Sequence, residues 1–196
     1  VSFMSGRGIR FTSRINLMLY SILLIITPFL LLQNYLQNAV GELSDLSVKI
    51  GSVRFHVVFS LFVLICVAVI VRYRKLITAK KLLAAAVILF MIILGHHTAD
   101  YYLHVGYYDL QNNWHYIAYA LFAFIAYQDL KTRTGNIARI ILLIYVRAMM
   151  ISAFDEAIQI IISNRVFDLS DVAKDLWGTL MGIIMVLFVI NDSVIF

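Results

Sequence analysis

The chain has 196 residues, of which 62% are hydrophobic and 14% charged, with a net charge of +5 and a mean hydropathy of +0.90. A water-soluble domain carries roughly 25% charged residues, so this composition excludes an ordinary soluble fold and points to bilayer as the solvent. The basic residues fall in short clusters between apolar runs, which argues against a nucleic-acid face, and the single cysteine, Cys66, leaves no disulfide framework or Cys-based metal site.

Six apolar segments approach the roughly 20 residues that a membrane span needs. The first is Ile15–Gln33, with Pro28 expected to kink it. The chain begins with Val1, and no signal-cleavage pattern precedes this run, so it is expected to stay as a span. Next, Leu36, Val40, Leu43, Leu46 and Ile50 recur near helical spacing, which predicts an amphipathic surface helix over Tyr35–Ile50. The further spans are Phe55–Val71, Leu82–Leu103, Trp114–Tyr127, Asn136–Ile162 and Asp171–Asn191, the fourth being the shortest. No repeat or linker divides the chain, so residues 1–196 read as one transmembrane domain.

The connections set the orientation. Arg7, Arg10 and Arg14 precede the first span; Arg72, Arg74, Lys75, Lys80 and Lys81 follow the second; Lys131, Arg133 and Arg139 follow the fourth. These are 11 of the 16 basic residues. The opposite side holds Lys49, Arg54, Arg165 and Lys174, with Arg147 inside a helix. By the positive-inside rule both termini are cytoplasmic. The expected fold is an all-α membrane bundle of about six helices, N-in and C-in.

Two polar stretches then fall on the outer side. One is His96, His97, Thr98 and Asp100, followed by His104, Asp109 and His115; the other runs from Asp155 through Glu156, Gln159, Arg165, Asp168 and Asp171 to Asp175. His96 lies 15 residues beyond Lys81, and Asp155 lies 16 beyond Arg139. Both therefore sit roughly 22–24 Å from the cytoplasmic interface, in the outer third of the hydrocarbon. Ionisable groups at that depth face a protein interior or a wet cavity.

Helical spacing refines this. Asp155 and Gln159 share a face, with Glu156 about 100° away. His115 and Tyr119 are also four apart. Asp171, Asp175, Gly178 and Gly182 follow one stripe, and the Gly178/Gly182 pair is expected to let another helix approach and bring both aspartates into the site. Arg147, two turns deeper than Asp155, needs an anionic partner: an outward-pointing carboxylate or a bound anion.

Phe154-Asp-Glu-Ala-Ile-Gln159, then Arg165, then Asp171 to Asp175, Gly178 and Gly182, resembles the VanZ-like signature: D-E-x-x-Q, an Arg in the next loop, then D-x-x-x-N/D-x-x-G-x-x-x-G. The upstream His115-x-x-x-Tyr119 is similar to that family's histidine helix, so the resemblance covers residues 112–182. Gln111 and Asn112 stand where the family often has Asp-Lys, and Asp175 replaces a more frequent Asn. The resemblance implies a bacterial inner-membrane protein and carries a family label of glycopeptide resistance. It implies no established reaction.

Asp155, Glu156, Gln159, Arg165, Asp171, Asp175, His115, Tyr119 and Arg147 are thus expected to line a pocket for an anionic lipid or lipid-linked cell-envelope precursor headgroup, with arginine holding the anion. Asp155, Glu156 and His115 are the candidates for acid–base chemistry, should the headgroup be modified. The plainer reading is an ion-pair network that locks the last two helices together. No cofactor is expected. The alternative is a zinc lipid hydrolase using His96, Asp100 and His104, set against interfacial histidines that bond only their neighbours. A third reading is an accessory subunit of a larger membrane complex.

Overall fold

Residues 13–31, 34–98, 108–160 and 167–190 are described by the computed structural model. Helix α1 is Ser13–Leu31 and α2 is Asn34–Asp45; strands β1, Ser47–Ile50, and β2, Val53–His56, follow. Helix α3, Val57–Tyr73, ends in a 3-10 turn, Arg74–Leu76, before α4, Ala79–Thr98. Then come α5, Leu110–Leu130, α6, Ile137–Gln159, and α7, Leu169–Met185, the last continuing as one π turn, Val186–Ile190. The fold is all-α but for the two-stranded hairpin.

Four of these helical stretches are long and apolar enough to cross a membrane: Val57–Leu76, Ala79–Thr98, Ile137–Gln159 and Leu169–Val189. The apolar part of α1, Arg14–Thr27, is shorter. Helix α5 has 21 residues, but Gln111, Asn112, Asn113, Gln128 and Asp129 occupy its ends.

Capping explains where the helices begin. The Asp109 carboxylate accepts from Asn112 N at 2.8 Å, so α5 starts four residues before the predicted Trp114. Asn136 caps α6 by accepting from Arg139 N at 3.0 Å, and Asp168 caps α7 by accepting from Ser170 N at 2.8 Å. Helix α4 starts at Ala79 and is described to Thr98, so the predicted stretch up to Leu103 lies outside the described residues.

The predicted surface helix over Tyr35–Ile50 is corrected by the hairpin. Helix α2 stops at Asp45, and Ser47–Ile50 pairs antiparallel with Val53–His56. Gly51 and Ser52 form the two-residue loop, with Gly51 at φ +62°, the left-handed conformation such turns require. β-Branched Val48, Ile50 and Val53 favour the extended chain on either side.

Helix α5 is the axis of the core. Ala118, Tyr119, Phe122, Ala123, Ala126, Tyr127 and Leu130 pack on Ile140, Ile144 and Ala148 of α6, Ile183 of α7 and Val186 just beyond it. Leu17 and Leu24 of α1 close another side, and the Tyr20 hydroxyl donates to the Ala118 carbonyl at 3.0 Å. Small residues let α7 lie directly against α5. A Cβ added to Gly178 would meet the Tyr116 carbonyl oxygen at 2.6 Å, and one added to Gly182 would meet that of Ala120 at 2.5 Å. Helix α3, by contrast, buries no residue.

Candidate functional site

Close α5–α7 packing carries the acidic stripe of α7 to the N-terminal end of α5. There His115 Nδ1 lies 2.9 Å from Asp175 Oδ1, and Nε2 lies 3.8 Å from Asp171 Oδ1. The other oxygen of Asp175 accepts from the Ser152 hydroxyl of α6 at 2.6 Å. Asp175 thus sits between the serine and the histidine. A nucleophilic triad needs the histidine in the middle, taking the serine proton, so Ser152 is a support for Asp175. With Nδ1 donating to Asp175, the imidazole presents Nε2 towards Asp171.

Beside this dyad is a cavity of about 60 Å³, room for a few waters or a small polar group. His115, Tyr119, Asp155, Gln159 and Asp171 line it, together with Gln111 and Trp114 of α5 and Leu24 and Thr27 of α1. Asp155 is 7% exposed, and its buried Oδ1 has no hydrogen-bond partner among the described residues. Its charged neighbours are Asp175, Glu156, His115 and Asp171. The Tyr119 hydroxyl approaches Ser152 and Asp175 but makes no well-formed hydrogen bond with either. A buried polar atom left unpaired costs on the order of 1–3 kcal/mol, more when charged. The wall is therefore rich in acceptors and suited to a group that brings its own donors, a hydroxyl or an ammonium.

Several expected site residues are elsewhere. Glu156 is buried but turned away from the cavity: it accepts from Gln159 Nε2 at 2.8 Å and from the Asp168 amide at 3.0 Å, tying the end of α6 to the start of α7. Asp175 stands behind His115. Asp171 does line the cavity, and it also accepts from Lys174 Nζ at 2.9 Å. Arg147 points to the other end of the bundle, where its guanidinium is 4.0 Å from Asp129. Arg165 lies outside the described residues.

The histidines near the end of α4 stand apart from the residues that line this cavity. Buried His96 Nε2 is 3.2 Å from Asn113 Oδ1, and its ring tilts against Tyr116 at 5.8 Å. Asp100 and His104 lie outside the described residues. Among the described residues, no three histidine, cysteine, aspartate or glutamate side chains are grouped to hold a metal ion.

Ser152, Asn113 and Asp129 take part without having been expected to. Ser152 is one turn before Asp155 and shares its face, the one signal that pointed to it. The contribution of α1 to the cavity has no local signature at all. No family model, curated protein or solved structure matches this chain.

Proposed function

We propose that this chain binds the headgroup of a lipid or lipid-linked cell-envelope molecule at the outer face of a bacterial inner membrane. The observation that carries the reading is that Asp155, which lines the cavity, has a buried Oδ1 with no hydrogen-bond partner among the described residues. Buried unpaired polar groups are rare in native folds; a ligand that donates to Asp155 and Tyr119 supplies the partners the protein omits. The headgroup is one that presents hydroxyl or amine hydrogens as well as its anionic moiety. Arg147, engaged with Asp129, leaves the proposed pocket; Arg165 stays in it on the strength of the VanZ-like resemblance.

In this reading α1 and α5 cross the membrane with the four long apolar helices. Six passes then put both termini in the cytoplasm, as the clusters Arg72–Lys81 and Lys131–Arg139 require. The cavity lies at the outer end. Proton transfer at His115 Nε2, held by Asp175, is the chemistry available for modifying the headgroup. Glycopeptide resistance enters only as the label of the family that the chain resembles.

The test compares lipids and envelope precursors retained by the detergent-purified wild type and by Asp155→Asn, by mass spectrometry. A headgroup class retained by the first and lost from the second is expected. Identical complements would overturn the proposal.

A further inference from the structure

The hairpin is amphipathic, and its two faces address different things. In its register Val48 opposes Phe55 and Ile50 opposes Val53, so these four side chains share one face. All four are 44–65% exposed. On the other face Lys49 stands directly opposite Arg54, both exposed and, among the described residues, neither in an ion pair. Like charges directly opposite across two strands are destabilising. Among the described residues no carboxylate pairs with either cation; an anion between them would offset the repulsion.

The hairpin is held at the cavity end. His56, on the Lys49/Arg54 face, stacks on Tyr108 with ring centroids 3.4 Å apart and 6° between planes. Its Nδ1 lies 3.2 Å from the Ser44 carbonyl, and the Ser44 hydroxyl accepts from the Leu110 amide at 3.0 Å. Tyr108 and Leu110 are at the start of α5, one turn before the cavity residues Trp114 and His115. The cationic face therefore looks towards that end of the bundle and the apolar face looks away. After His56 the chain enters α3, long and apolar enough to cross a membrane.

We propose that this hairpin docks on the membrane surface and clasps the phosphodiester of an anionic phospholipid between Lys49 and Arg54. The apolar face rests among acyl chains beside α3, as an interfacial element does, while the ammonium and guanidinium stay at headgroup level. The site is independent of the cavity proposed above, although both stand at the same end of α5.

The test uses the full chain in a neutral detergent, titrated with short-chain phosphatidylglycerol and read by native mass spectrometry. A cation near an anionic lipid surface contributes about 1 kcal/mol, and 1.4 kcal/mol is tenfold. Lys49→Gln with Arg54→Gln is therefore expected to weaken binding about thirtyfold, and the charge-preserving Lys49→Arg with Arg54→Lys to restore it. Unchanged affinity in the neutral pair would overturn the proposal, as would equal loss in both pairs, which would mark a fold effect. Inorganic phosphate at the same concentration is expected to displace no lipid; displacement would make the site one for a free anion. Lipid binding that is lost in Asp155→Asn and unchanged in the neutral hairpin pair would assign the lipid to the cavity instead.

Discussion

The two ends of α5 each bury an aspartate against α6, and they treat it in opposite ways. At the C-terminal end, Asp129 is 1% exposed and meets Arg133 at 2.6 Å and Arg147 at 4.0 Å. At the N-terminal end, Asp155 of α6 is 7% exposed, borders a cavity, and has one oxygen with no partner among the described residues. A buried carboxylate is tolerated when cations and donors surround it. The first end meets that condition within the chain and reads as architecture. The second does not meet it among the described residues, and the proposed site rests on that difference.

The largest effect is expected from Gly178→Val, which breaks one end only. Its side chain enters the space of the Tyr116 backbone, and overpacking against a main chain that has no room to yield costs on the order of 3 kcal/mol. Helix α7 must move off α5, taking Asp171 and Asp175 away from His115. The Asp129–Arg133 bridge joins the C-terminal end of α5 to the turn that follows it and should survive. Thermal unfolding in detergent reads the loss, and retained lipid reads the site; a variant that keeps both would show that close approach is not what assembles the cluster.

Asp129→Ala tests the paired end. Removing one partner of a fully buried pair costs roughly 3–5 kcal/mol. Here Arg133 and Arg147 are 40% and 38% exposed, so solvent compensates them and about 2 kcal/mol is expected. Headgroup retention should be unaffected, which separates this end from the other. Lipid loss in proportion to stability would erase the distinction.

Ser152→Ala probes the support behind the dyad. The hydroxyl is wholly buried and donates to a carboxylate at 2.6 Å, and such charge-assisted bonds contribute about 1.5 kcal/mol. The same loss of stability should come with weaker headgroup retention, because Asp175 also holds His115. Unchanged retention would confine Ser152 to a packing role.

Much of this contrast was legible in the sequence where it depends on spacing along one helix. Asp155 with Gln159, and His115 with Tyr119, are four apart, and the structure brings all four to one cavity. Gly178 and Gly182 announced a close helix contact, though not its partner. What spacing does not encode is where a long side chain turns. Arg147 was placed by its depth, but its guanidinium reaches Asp129, whose pairing was signalled only by Arg133 four residues on. Glu156 shares a turn with Asp155, yet the chain returning at Asp168 supplies an amide that draws it away. The hairpin has no clear signature in the sequence because strands of four residues barely establish a period, and the apolar positions 43, 46 and 50 fit a helix as well.

The smallest effect, and the one of opposite sign, belongs to Asp155→Asn. Wild type holds a carboxylate oxygen without a donor, among three other acidic groups. Replacing it by a neutral amide of the same shape removes repulsion and reduces the desolvation cost, so the apo protein should gain about 1 kcal/mol. Binding should fall over the same substitution, since the acceptor offered to the ligand is weakened. Stability gained where function is lost is the signature of a group kept for a ligand. The check is the thermal midpoint of the delipidated protein beside that of Asp129→Ala. If both substitutions destabilise alike, Asp155 is a second architectural carboxylate, and the cavity beside it loses its claim to be a site.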